Sequence, residues 1–171
     1  DEMITIDGEA LYLGDRGISE DDSVMDISFV RQNVSFDLLL DMENRPYQPQ
    51  PGTVGVPIFF AQQDDLQVGD PVTLEIGDRK MELIIGAIIR DALMNPSIVH
   101  SKRFVVHENE YEILRDLIPE TEYLISFRLR EPGETGDFIA SYKAADLPKV
   151  GTTLDKNLFR TMNALSEGIV A

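Results

Sequence analysis

With 171 residues, 43% of them hydrophobic and 27% charged, the chain suits one globular domain or two small ones sharing a core. It has no cysteine, which excludes a disulfide framework, a thiolate metal site and a cysteine nucleophile. Its net charge of −16, from 31 acidic against 15 basic residues, argues against a nucleic-acid partner, because neutralising phosphates needs clustered Lys and Arg.

The charge is uneven. Residues 1–78 carry 17 acidic and 3 basic side chains, and residues 79–171 carry 14 and 12. In chain order, "MITIDGEALYL" (3–13) alternates and predicts a β-hairpin turning at Asp7-Gly8. Residues 14–24 are polar, rich in Gly and Asp, and predict a loop. "MDISFVRQNVSFDLLLDM" (25–42) predicts a strand over 26–32, with "FDLLLDM" reading equally as strand or helical turn. "ENRPYQPQPG" (43–52), with three prolines, predicts an extended linker and a subdomain border. "VGVPIFFAQ" (54–62) predicts a strand. Gly77-Asp78 predicts the turn of a hairpin, and "LIIGAII" (83–89) a strand covered on both faces. "RFVVH" (103–107) predicts another strand.

Beyond 107 the pattern turns helical. "ENEYEILRDLIP" (108–119) predicts a helix capped by Asn109 with Glu112 as reciprocal partner, burying Tyr111, Leu114 and Ile118. "EYLISFRLR" (122–130) predicts a strand. "TGDFIASYKAADLP" (135–148) predicts a helix with Phe138, Tyr142 and Ala145 on one face. A last helix from Thr153 or Asp155 carries the stripe Leu158, Met162, Leu165 and Ile169, and nothing polar caps its apolar end. Both ends of the chain read as cuts in a longer protein. The whole predicts an α+β fold rather than a βαβ repeat.

Motifs for chemistry are sparse. His100 and His107 lack metal-pair spacing and read as structural or surface residues. There is no GxSxG, GxGxxG or P-loop. Glu20, Asp21 and Asp22, and Asp64 and Asp65, read as solvated loops without a calcium pattern. One stretch differs, "RDALMNPSIVHSKRF" (90–104), which gathers Arg90, Lys102 and Arg103 in an acidic chain around an Asn95-Pro96-Ser97 turn. It reads equally as a partner-contacting loop using Arg90, Asn95, Lys102 and Arg103, or as a connector whose cations pair with the domain's own carboxylates.

The stretch "VPIFFAQQDDLQVGDPVTLEIGDRKMELIIGAIIRD" resembles the extracytoplasmic core of FtsX-like, MacB-type ABC transporter permeases. Leu66, Val68, Gly69 and Asp70 match that family's turn, and Ile85, Gly86 and Ile88 its apolar run. "RDALMNPSIVHSKRF" and "NALSEGIVA" resemble one branch of these permeases, in which the latter leads into a membrane helix. The resemblance implies a membrane-proximal, sandwich-like α+β part made of 1–48 and 108–171, with an inserted β-rich part at 49–107. It implies a non-catalytic domain without cofactors, on the extracytoplasmic face of the cell membrane. Its implied partners are a cytoplasmic ABC ATPase, a second permease subunit, and a cargo or extracellular protein. A secreted binding module and a carboxylate-based hydrolase are the rival readings, the second requiring paired carboxylates of separated acidity.

Overall fold

The computed structural model describes residues 2–18, 26–92, 94, 101–119, 121–125 and 129–147. The expected acidic loop at Glu20–Asp22, the turn at 95–97, His100 and the last helix lie outside these residues. The chain divides into two compact units, Asp1–Ile125 and Ser126–Ala171. The borders expected at 48/49 and 107/108 both fall inside the first.

That first unit is strand-dominated α+β. Its elements are β1 (Glu2–Ile6), β2 (Leu11–Leu13), β3 (Arg16–Gly17), β4 (Asp26–Val30), β5 (Thr53–Pro57), α1 (Ile58–Gln63), β6 (Pro71–Ile76), β7 (Arg79–Ile89), β8 (Ser101–Val106), α2 (Glu108–Leu117) and β9 (Glu122–Tyr123). One mixed sheet runs β3-β2-β6-β7-β5-β8-β4-β1-β9. The pairs β4/β8 and β5/β7 are parallel, and the other neighbours are antiparallel.

The sheet is curled, and a short connection requires it. Five strands separate β2 from β1 in the sheet, so a flat arrangement puts them roughly 29 Å apart. Yet Ile6 and Leu11 are joined by a chain that reaches at most about 18 Å. The two ends of the sheet therefore approach each other around a shared core. This connection is a 3₁₀ turn at Gly8–Ala10, capped by Asp7, whose Oδ1 accepts from the Glu9 amide at 3.1 Å. The hairpin expected at Asp7-Gly8 is thus corrected. Asp7 is extended at φ −68, not the positive φ of a two-residue hairpin turn, and β1 and β2 pair with β4 and β6 instead.

The main core combines Ile4, Leu11, Phe29, Val54, Leu74, Ile85, Tyr111 and their neighbours. Phe104 anchors it, with Phe29 stacked at 5.3 Å and Phe60 tilted at 5.6 Å between centroids. A second cluster, Met3, Val30, Leu39, Ala87, Ile89 and Val105, packs with half-buried Tyr47 and Leu124. A bulge lets β7 serve both clusters. Ile85 pairs with Val54 but Ala87 with Gly55, so Gly86 is an extra residue and the facing side chains swap sides there. Gly86 also makes room for Tyr47, whose hydroxyl occupies the space a β-carbon would fill and bonds Thr53 Oγ1 at 3.0 Å.

Other expectations shift for local reasons. The hairpin at Gly77-Asp78 forms as predicted, joining β6 to β7, with Gly77 at φ +57. The strand expected over 54–62 stops at Pro57, beyond which Phe60 and Ala61 bury one side of α1. "FDLLLDM" is neither strand nor helix. Gln32 holds it like a strand partner, its Nε2 donating to the carbonyls of Leu39 (2.6 Å) and Tyr47 (2.8 Å) and its Oε1 accepting from the Leu39 amide (3.0 Å). Residues 37–52 accordingly form a strap held against the sheet, and the extended linker expected at 43–52 is part of it, with Tyr47 half-buried and Pro49 buried. The helix at 108 is capped by His107 instead of Asn109, and Glu112 pairs with Arg115 rather than reaching back. Of the strand expected over 122–130, only Glu122–Tyr123 form strand among the described residues.

The second unit contains α3 (Thr135–Ala144), where Phe138 and Tyr142 stack at 6.2 Å as their spacing predicts. No described residue of α3 is buried. Among the described residues no helix is long and apolar enough to cross a membrane.

Candidate functional site

The four residues singled out as partner contacts take different places. Asn95 lies outside the described residues. Arg103 enters β8 facing inward and is 0% exposed, so it is a core residue and not part of an outward surface. Its Nε and Nη2 donate to the two oxygens of Asp91 at 2.7 and 2.8 Å. Its Nη1 and Nη2 donate to Asp37 at 2.7 and 3.2 Å. Burial alone disfavours this charge, but the bonds from Asp91 and Asp37 outweigh it and raise the guanidinium's pKa above its ordinary value. For this residue, pairing with the domain's own carboxylates is the reading the geometry bears out.

Asp91 lies two residues beyond β7 and Arg103 within β8, so the bidentate pair clamps the two ends of the connection between these strands. Its Oδ1 also accepts from the Met94 amide at 3.1 Å. Asp37 reaches the same cation from the strap, where its left-handed φ of +52 is supported by Asn33 donating to its carbonyl at 3.3 Å. Three segments distant in sequence therefore converge on one buried cation. A guanidinium committed to four such bonds acts as a fastener, not as a reagent.

Lys102 is buried too, its ammonium 5.0 Å from the centroid of the Phe59 ring. Arg90 is half-buried at the end of β7. Its backbone pairs with Leu40, and its Nη2 donates to the Asp41 carbonyl and to Asn44 Oδ1. Arg90 and Arg103 thus tie the strap to the sheet, while Lys102 packs on α1.

A second fastener holds the start of β1. Arg31 donates to Glu2 at 3.1 Å and Glu108 at 2.9 Å, and lies 4.4 Å from the Tyr111 ring centroid. Tyr111 Oη donates to the Glu2 carbonyl at 3.2 Å, and Tyr123 Oη to the Glu2 carboxylate at 3.3 Å. Glu2 pairs with Tyr123 across the β1/β9 ladder, so the chain begins this unit beside the place where it leaves.

The turn singled out by the resemblance is also built into the sheet. Gly69 adopts φ +102 and its amide donates to the Ile85 carbonyl at 2.8 Å, while the Ile85 amide donates to the Asp70 carbonyl at 2.9 Å. Asp70 Oδ2 accepts from the Gln67 amide at 2.8 Å, closing the turn. Among the described residues no three metal-capable side chains gather.

Sequence reasoning missed Asp37 and the His107–Glu110 neighbourhood. An Asp set against an apolar run, Asp37 in "FDLLL", was the available signal for the first: a charge at that place needs a buried partner. No family model, no curated protein and no solved structure matches the chain.

Proposed function

We propose that this chain is the extracytoplasmic domain of an FtsX-like, MacB-type ABC transporter permease. It catalyses nothing itself. It carries motion from transmembrane helices, driven by ATP hydrolysis on a separate cytoplasmic subunit, to export, sensing or partner regulation outside the membrane. The observation that carries the reading is the union of the two stretches on which the resemblance rests: the Leu66–Asp70 turn and the Ile85–Ile88 run are bonded into one unit through Gly69, Asp70 and Ile85. The Arg103–Asp91 pair adds support, because it joins both ends of the third resembling stretch.

The mechanical side of the reading draws on the β1/β9 pairing. A body that moves as one with membrane helices is best held at neighbouring points. Glu2 and Tyr123 are neighbours where the first unit begins and where it runs on toward the second, and Arg31 and Tyr111 fix Glu2.

The test is the coding sequence on both sides of these residues, followed by the topology of its product. The expected result is about four apolar spans of some 20 residues, with this domain after the first. In cells, added protease then cleaves the domain only from outside, and the tagged product co-purifies with an ATPase subunit. A product without such spans, released free into the medium, overturns the reading and favours the secreted binding module.

A further inference from the structure

The start of α2 holds a two-position device. His107 caps the helix through Nδ1, which accepts from the Asn109 amide at 3.2 Å. An imidazole nitrogen that accepts carries no proton, so this cap exists only with neutral His107. The same Nδ1 lies 3.7 Å from Glu110 Oε2, a buried oxygen with no hydrogen-bond partner among the described residues. The other oxygen of that carboxylate, Oε1, accepts from the Gly52 amide at 2.9 Å. Gly52 ends the strap, and its carbonyl accepts from the Ile84 amide at 3.0 Å.

We propose that protonation of His107 switches the first turn of α2 from a capped state to an ion-paired state and passes the change, through Glu110, to Gly52 at the strap–β5 junction. A proton on Nδ1 removes the acceptor that Asn109 uses. It creates a donor 3.7 Å from Glu110 Oε2, which a turn of the ring brings into line. Closing 3.7 Å to the 2.7–2.9 Å of a charge-assisted bond draws the Glu110 carboxylate about 0.9 Å toward the ring. Because Oε1 is rigidly part of the same group, the Gly52 amide feels the movement. Of the described charged residues, Glu108 is next in sequence and Arg31 pairs with it. That pair does not use His107 Nδ1, so the proposed change runs through His107, Asn109, Glu110 and Gly52.

Amide NMR of the whole chain across the His107 imidazole titration tests this. In the parent protein the Asn109 amide proton moves upfield as its bond is lost, and the Gly52 amide moves with the same midpoint as the imidazole. In Glu110→Gln the Asn109 shift remains and the Gly52 shift disappears. In His107→Asn, which keeps a capping side chain but cannot titrate, both shifts disappear. His100, the other histidine, serves as an internal reference. An Asn109 amide that ignores the His107 titration, or a Gly52 shift that survives Glu110→Gln, overturns the proposal. Retained chemical-shift dispersion in each variant shows that the variant has folded.

Discussion

Replacing Arg103 with methionine keeps the buried stem and removes the charge. Two carboxylates then remain inside, Asp91 with a side chain 3% exposed and Asp37 with one 8% exposed. They lose four hydrogen bonds between them. Removing one partner of a buried ionic group costs about 3–5 kcal/mol, and two buried anions deprived of their shared cation put this case near the top of that range. For a chain of this length each kcal/mol lowers the melting temperature by about 2–4 °C, so the expected drop is roughly 8–20 °C. Urea and thermal unfolding followed by far-UV circular dichroism read it. Adding Asp91→Asn to the Arg103→Met variant removes one uncompensated buried charge and recovers part of the loss, giving a coupling of about 2 kcal/mol between the positions. A loss below about 1 kcal/mol for Arg103→Met, or strictly additive effects, would show that water reaches the site and that the fastener does not hold the strap.

Other expectations test separate parts of the fold. Gly86→Ala places a methyl group where the Tyr47 hydroxyl sits and destabilises by about 1–3 kcal/mol, and Tyr47→Phe in the same chain restores part of it, read by urea midpoints. The Tyr111 hydroxyl is pushed up to about 12 from 10.0, by burial first and by Glu2 second. The unfolded chain therefore ionises first as pH rises, so the stability owed to neutral Tyr111 is complete below pH about 10 and is lost on the way to about 12; Tyr111→Phe loses this part of the alkaline decline. Asp41 is held below the usual carboxylate range, chiefly by the Arg45 amide, so its contribution is present at neutral pH and lost as pH falls through its lowered value. Faster hydrogen exchange at Glu43 and Arg45 in acid, absent in Asp41→Asn, reports that loss. Finally, Lys80→Ala breaks only an exposed pair with Glu82 and leaves the melting temperature unchanged within error.

Periodicity exposed much of the fold, because alternation and 3.6-residue spacing record burial directly. β6, β7, their turn at Gly77-Asp78, β8 and α2 were all legible in this way. What escaped depends on contacts far along the chain. β1 and β2 look like a hairpin because each alternates and Asp7-Gly8 lies between them, yet their partners come from residues 26–30 and 71–76. The strap looks like a linker because its prolines cannot join a ladder, while Gly55 and Gly86, two β-carbons short, open the recess that Tyr47 fills. Arg103 read equally as a partner contact or as a cation paired within the domain, because its neighbours in sequence name no carboxylate partner. Its burial needs Asp37 and Asp91 together, 66 and 12 residues away, and no local window holds all three.

The pairing of Glu2 with Tyr123 has a mechanical consequence. Hydrogen bonds between antiparallel strands lie across the strands, so opposed forces that draw Glu2 and Tyr123 apart open the ladder one rung at a time, as a zipper opens. Two rungs resist little. Tension in that direction strips β9 from the sheet while the Arg31 and Tyr111 anchors keep β1 in place. A push or twist that moves both points together leaves the ladder unloaded and reaches the sheet intact, so the unit is stiff to common displacement and yielding to separation.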